Sequence, residues 1–459
     1  MSRLFGTDGV RGVANQKLTP ELALDLGRAA GDLLGQKGLP LRALIGLDTR
    51  QSGDMLRAAF SAGLMSSGVE VVDLGVVPTG VVSFLLRDGQ YGLGVVVSAS
   101  HNPAPDNGIK LLAADGRKLA EQDEVWIENH RGEPQADRPV GSLVGRMRPG
   151  EAEIERYMGM LLSIVPEGLT GLKVAVDGAH GAAHLLGPEM IRLLGAEVVT
   201  VGTSPTGMNI NAEGGATKPQ IIQDFTVQSS AHIGLSFDGD ADRVVFSDDQ
   251  GRLINGDRTM AIWCAHWAQH GGLEPPVVVG TVMSNGGFEA YMESQGVRLV
   301  RTSVGDKYVS KQMRDLGARI GGEQSGHLIF SERGVTGDGL ITALELLRVL
   351  VLSGRKSSEL FDSYEAWPQV LVNVTVSSKE SLAAAQRFPE VLARAEDRLG
   401  ERGRVNVRPS GTQPMLRVMV EADDAALRDE ITEELVAALR EEVGGEIYSR
   451  VDLTHSLGE

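Results

Sequence analysis

Val95-Val96-Val97-Ser98-Ala99-Ser100-His101-Asn102-Pro103 is the stretch from which the rest of the chain can be read. Three consecutive β-branched residues predict a buried strand. Small and polar residues end it, and Asn102-Pro103 imposes a turn. In sheets covered by helices, ligands bind at strand ends. The stretch therefore presents a hydroxyl, Ser100, beside an imidazole, His101, with Asp106-Asn107-Gly108-Ile109-Lys110 close behind. Ser98 reads as still within the strand, which makes Ser100 the better candidate nucleophile. Alone, a serine at a strand end is also an ordinary turn former.

Working outward, Thr19-Pro20 opens a helix, with threonine as cap and proline at the first position. Residues 41–47 read as a strand ending at Asp48-Thr49-Arg50. A helix to 67, a strand over 69–77 and a helix through 86 follow, and then the Ser100 strand. This alternation predicts a mostly parallel sheet with helices on its faces. Residues 129–150 are rich in Gly, Pro and Arg and predict a loop or hairpin before a boundary near 150. The same alternation returns over 173–237 and again over 256–316. After a helix at 340–352 the pattern changes to a strand at 370–376 and a helix over 382–399. Extended segments at 405–408 and 415–421 and a helix over 424–443 complete it. The expected fold is α/β, with three related βα-sandwich domains, 1–152, 153–252 and 253–365, and a smaller C-terminal α+β domain, 366–459.

The 459 residues are 42% hydrophobic and 23% charged, as in soluble globular chains. Only 4% are aromatic, so the cores must rest on Val, Leu, Ile and Ala. With 44 basic and 61 acidic residues the net charge is −17, which argues against nucleic acid or an anionic membrane as partner. An anionic substrate would need a locally basic pocket. The lone Cys264 excludes an internal disulfide, fits a reducing compartment and reads as a buried thiol. The first residues lack a signal-peptide apolar region, and no apolar run approaches a membrane span. The expected location is the cytoplasm.

Four further stretches carry chemistry. Asp238-Gly239-Asp240-Ala241-Asp242-Arg243 follows the strand-like Gly234-Leu235-Ser236-Phe237. Carboxylates at every second position share one side of an extended loop, and their repulsion calls for a cation. Few, hard oxygen ligands favour Mg²⁺. A calcium loop also begins D-x-D-x-D, but its sixth position would be Gly and is Arg243, and its twelfth would be Glu and is Asp249. A phosphatase with an aspartyl nucleophile usually has Thr or Val where Asp242 stands. Gly322-Glu323-Gln324-Ser325-Gly326-His327 alternates Glu323, Ser325 and His327 on one side, a set suited to a polyhydroxylated ligand. Arg408-Pro409-Ser410-Gly411-Thr412-Gln413-Pro414, with Arg417 beyond it, has the parts of a phosphate cradle. Phe5-Gly6-Thr7-Asp8-Gly9-Val10-Arg11-Gly12 reads as a turn or as a loop meeting an anion, with Arg11 supplying charge. His180 and His184, and His266 and His270 with Cys264, lack the surroundings of a metal site.

In this order the motifs, one or more per domain, make the chain resemble the α-D-phosphohexomutase family from end to end. The Phe5 to Gly12, Ser98 to Pro103 and Asp238 to Arg243 stretches carry the resemblance. The Gly322 to His327 loop, through Gln324, points to the branch acting on hexosamine phosphates. The resemblance implies four domains around a central cleft and interconversion of glucosamine 6-phosphate and glucosamine 1-phosphate. It implies a phosphoserine at Ser100, one Mg²⁺ held by Asp238, Asp240, Asp242 and Ser100, and glucosamine 1,6-bisphosphate as intermediate and activator. Arg11, Lys110 and Arg243 would neutralise the transferring phosphoryl group. His101, Lys110 and His327 would be candidates for proton transfer. Glu323, Ser325 and His327 would grip the sugar, and Arg408, Ser410, Gly411, Thr412 and Arg417 the phosphate that is not reacting. A hexosamine phosphate is the implied partner, in a homodimer. The alternative within the family is broader action on glucose and mannose phosphates. The chain departs from the family's pattern at Gln413, where Glu is usual, and at His180, where Asn is common.

Overall fold

The computed structural model describes residues 3–6, 8–133, 137–378, 381–410 and 414–457. Four sheets organise them. The first has six strands in the order Val10–Val13, Asp106–Ala113, Leu93–Val97, Arg42–Leu47, Glu70–Val76 and Met147–Pro149. The second is Leu253–Ile254, Val244–Asp248, Ile233–Phe237, Lys173–Asp177 and Glu197–Val201. The third is Arg298–Thr302, Val277–Thr281, Ile320–Gly322 and Leu328–Phe330.

These three sheets share one design. Three parallel strands linked by helices end in a hairpin, whose returning strand is antiparallel. Each is therefore mixed, where the sequence predicts mostly parallel strands. The returning strands Asp106–Ala113 and Val244–Asp248 each follow their partner after a short polar turn, which a hairpin can close and a parallel crossover cannot. The chain thus builds one supersecondary unit three times. The loop between the last parallel strand and its return holds, in turn, residues 98–105, 238–243 and 323–327. The fourth sheet, Gly403–Pro409, Met415–Ala422, Gln369–Thr375 and Ile447–Asp452, is antiparallel throughout. The motif loops at Ser100, Asp238 and Glu323 therefore occupy hairpin turns.

Hydrophobic burial explains how the units hold together. One contiguous core runs from Leu44 and Val96 through Val174, Leu235 and Phe237 to Trp263, Leu344 and Tyr364, so the first three units share an interior. The fourth sheet has a core of its own, with Val372, Leu416, Ile431 and Leu435. Met283, Leu371, Met419 and Leu453 form an apolar seam between it and the third unit.

Several local expectations are corrected. Residues 129–150 hold the edge strand Met147–Pro149, paired parallel to Glu70–Val76, and the amphipathic helix Glu151–Leu162 lies beyond them. The helix expected over 382–399 is split into Ser381–Ala384 and Phe388–Leu399. Pro389, in the first turn of the second piece, lacks a backbone donor and disfavours helix before it. Strand Leu93–Val97 stops before Ser98. Among the described residues no helix is long and apolar enough to cross a membrane.

Candidate active site

Ser100 is buried, in a left-handed backbone conformation with φ 52°. A non-glycine residue there is strained and needs the surroundings to hold it. Arg50 supplies much of that hold. Its side chain is fully buried, paired with Asp48, and it donates to the carbonyls of Ser100 at 2.9 Å, Asn102 at 2.7 Å and Asp106 at 2.9 Å. Ser98 accepts from the Ser100 backbone N–H at 2.9 Å and donates to Asp48 at 2.5 Å. Asn211 adds a second donor to the Ser100 carbonyl at 2.8 Å. In the sequence Asp48 and Arg50 mark only a strand end; two opposite charges two residues apart at the end of a buried strand are the signal that points to them.

The Ser100 hydroxyl donates to Asp238 Oδ2 at 2.7 Å and lies 3.3 Å from His101 Nδ1. The second unit's hairpin loop thus meets the first's. Gly239 makes this possible, since a Cβ there would stand 2.3 Å from the Ser100 carbonyl oxygen. Ligand oxygens of Asp238, Asp240 and Asp242 lie within 4.8 Å of one another. Thr79, unread in the sequence, donates to Asp240 at 2.6 Å, and the Lys110 ammonium bonds Asp240 and reaches Asp242 at 3.5 Å. The Arg243 backbone donates to Asp238 at 3.2 Å, and its guanidinium is 4.0 Å from Asp242.

The electrostatics fit a cation. Burial first, and then Asp242 and Asp240, push the Asp238 carboxyl well above its usual range. Oδ1 of Asp240 and Oδ1 of Asp242 are buried and have no hydrogen-bond partner among the described residues. Orphaned carboxylate oxygens beside a repelling third carboxylate are a donor set for a hard divalent ion.

The third unit's loop abuts the second's. Gly326, at φ 89°, packs on Val244, where a Cβ would meet the carbonyl oxygen at 2.3 Å, and its own carbonyl accepts from the Val244 N–H. Glu323 accepts from the Gly305 N–H at 2.8 Å. Ser325 and His327 are buried, and the Ser325 hydroxyl has no partner among the described residues. Gln324 is also buried, and its carbonyl accepts from the Gly256 N–H. Arg11, on strand Val10–Val13, donates to Asp8 at 3.3 Å. Burial raises the Asp8 carboxyl, but Lys118, Lys110 and Arg11 outweigh it, and the group is held below the usual range.

In the fourth unit Arg408 and Arg417 stand directly opposite each other on paired strands. Like charges in that register destabilise a sheet. Burial and then Arg417 depress the Arg408 guanidinium, and Nε of Arg417 is buried with no partner among the described residues. An anion between them would supply the missing acceptor. Ser410 is buried beside this pair, and its N–H bonds the Met415 carbonyl at 2.8 Å. Thr7, Gly411, Thr412 and Gln413 lie outside the described residues. The discounted histidines keep local partners. His180 accepts from the Ser204 N–H, and His184 and His270 bond carbonyls a turn earlier. Cys264 is buried.

Known proteins agree with this layout. Residues 2–136, 155–251 and 255–367 match phosphoglucomutase/phosphomannomutase alpha/beta/alpha domains I, II and III, and 371–438 match the C-terminal domain. The chain is 45% identical over 441 residues to a phosphoglucosamine mutase of Carboxydothermus hydrogenoformans, covering 96% of this chain and 99% of that one. It is 46% identical over 445 residues to one of Corynebacterium urealyticum, covering 96% and 100%. Its fold is similar to the crystal structure of a phosphoglucomutase/phosphomannomutase family protein from Burkholderia thailandensis. There the TM-score is 0.83 and the identity 25%, over 97% of this chain and 99% of that one.

Proposed function

The chain belongs to the phosphoglucomutase/phosphomannomutase family of α-D-phosphohexomutases, and on that premise we propose that it interconverts glucosamine 6-phosphate and glucosamine 1-phosphate. The observation that carries this is the Ser100 hydroxyl 2.7 Å from Asp238, inside a ring of three carboxylates and two cationic side chains. In this reading Ser100 rests as phosphoserine. Its phosphoryl group passes to the free hydroxyl of the sugar monophosphate, which gives a 1,6-bisphosphate. After that intermediate turns around, its other phosphoryl group returns to Ser100.

Asp238, Asp240 and Asp242, with an oxygen of phosphorylated Ser100, would hold one Mg²⁺ per chain. Bound there, the ion supplies positive charge where phosphoryl transfer accumulates negative charge. Lys110, Arg243 and Arg11 add to that charge from the protein side. Lys110, bonded to two of the acids, serves as a counter-charge, which leaves His101 and His327 to move the proton of the sugar hydroxyl. Glu323 and Ser325 grip sugar hydroxyls. Arg408, Ser410 and Arg417, with Gly411 and Thr412 beside them, hold the distal phosphate. The four units then divide the work: phosphoserine in 1–152, metal in 153–252, sugar in 253–365 and phosphate in 366–459. A cytoplasmic homodimer completes the reading.

The test is kcat/KM for glucosamine, glucose and mannose 6-phosphates, with Mg²⁺ and a trace of the matching bisphosphate. A preference for the amino sugar of about tenfold or more, ~1.4 kcal/mol, supports it. Equal rates on all three would assign the chain to general hexose phosphate metabolism. A phosphoenzyme cleaved by hydroxylamine would mark an aspartyl phosphate and remove Ser100 from the mechanism.

A further inference from the structure

One ammonium ties the first unit to the third beside the cleft. Lys118 follows the hairpin return after strand Asp106–Ala113 and bridges to Leu112, two residues beyond Lys110. The same hairpin thus offers two ammoniums, Lys110 to the acidic ring and Lys118 to a different pair of carboxylates. Lys118 Nζ bonds Asp8 and lies 2.9 and 3.0 Å from the two oxygens of Asp306. Each carboxylate belongs to a working loop. Asp8 also holds Arg11 at 3.3 Å. Asp306 is the first residue of the helix Asp306–Leu316, and the preceding residue, Gly305, donates to Glu323 at 2.8 Å. His327 contributes to the field at Asp306.

We propose that Lys118 is a positioning residue that sets the sugar loop, through Asp306, against the phosphoryl loop, through Asp8, and so fixes how the sugar phosphate seats. The inference rests on the reading that this cleft binds a sugar phosphate. The physical reason is charge balance. Without Lys118, Asp8 and Asp306 would face each other across the contact between the units. Asp306 would lose its ammonium partner and Asp8 would keep only Arg11, so the two carboxylates would repel each other and a dianionic ligand. An ordinary partly exposed ion pair would contribute about 1 kcal/mol or less to stability and would not affect the substrate.

The experiment compares wild type, Lys118→Met, Lys118→Arg, Asp306→Asn and Lys118→Met/Asp306→Asn. Lys118→Met is expected to raise KM for glucosamine 6-phosphate about tenfold or more, with kcat changed less than about threefold. Lys118→Arg keeps the charge and is expected to stay within about threefold of wild type. Adding Asp306→Asn to Lys118→Met is expected to recover most of the loss, because one of the two opposed charges is gone. An unchanged KM in Lys118→Met, or a double variant no better than it, would overturn the proposal. The same substitutions on a Ser100→Ala background, read as the Kd of glucosamine 6-phosphate by calorimetry, give the comparison without turnover. A wild-type chain that binds the sugar phosphate but does not isomerise it would sink the mutase reading, and the Kd series would still decide the role of Lys118.

Discussion

The two ends of the proposed cleft are built by different rules. At the Ser100 end, side chains from two units bond directly inside a continuous core, and a strained serine is held by Arg50, Ser98 and Asn211. At the Arg408 end, two arginines oppose each other on a sheet with its own core. That sheet meets the third unit through a small apolar seam and through Arg404, which pairs with Glu421 and bonds the carbonyls of Val282 and Ser284. Where bonds are made and broken, geometry must be fixed to a fraction of an ångström. Where a phosphate is only held, matched charge is enough.

The comparison makes predictions of decreasing size. Ser100→Ala should lower kcat by about four orders of magnitude or more, since it removes the phosphoryl carrier, while calorimetry still shows sugar phosphate binding. Near-normal turnover would end the mechanism. Asp240→Asn should cost about 10²- to 10³-fold in kcat and weaken divalent-ion binding, because Asp240 also anchors Thr79 and Lys110. Arg417→Ala should act mainly on KM, by about tenfold, with a smaller change in kcat. If Arg417→Ala instead lowered kcat as Asp240→Asn does, the contrast between a reacting end and a holding end would be broken.

The effect farthest from the chemistry lies where the first three units meet. Asp338 caps the helix Gly339–Ser353, accepts from Tyr157 and packs on Gly80. Burial pushes its carboxyl from 3.8 up to about 6. Between those pH values the folded chain holds a proton that the unfolded chain releases, so stability falls as pH rises through the window. Above pH 6 the full penalty, up to about 3 kcal/mol, is present. Asp338→Asn keeps the cap and removes this titration. Urea unfolding at pH 4.5 and pH 7 should therefore show the variant gaining on wild type as pH rises. Parallel stability changes in the two proteins would mean that Asp338 is charged throughout.

Much of the fold was legible because its signals are local. The Val95 to Val97 run, the cap at Thr19 and the periodic helices each report on a few neighbouring residues. The strand Met147–Pro149 is too short to show alternation inside a Gly- and Arg-rich segment, whereas Ile154, Tyr157, Met158 and Leu161 do carry the helical spacing of Glu151–Leu162. In the site, the four motifs were legible as residue types at fixed spacings. Thr79, Asn211, Lys118 and Asp306 were not, because each acts on a partner that no local pattern names, and Asp48 and Arg50 offered only a local charge pair that does not name the Ser100 turn they hold.

The sequence by itself determined the four units, the strands that end in polar loops, and which side chains could carry phosphoryl, metal, sugar and phosphate chemistry. Periodicity and turn composition are enough for that, because they act over a few residues. Only the tertiary structure decided that the motif loops at Ser100, Asp238 and Glu323 are hairpin turns, that Ser100 meets Asp238 across 138 positions, and that Lys118 spans two units. Those meetings depend on strand order and on which faces share a core. Burial is non-directional, so hydrophobic pattern says that a face is covered without saying by what.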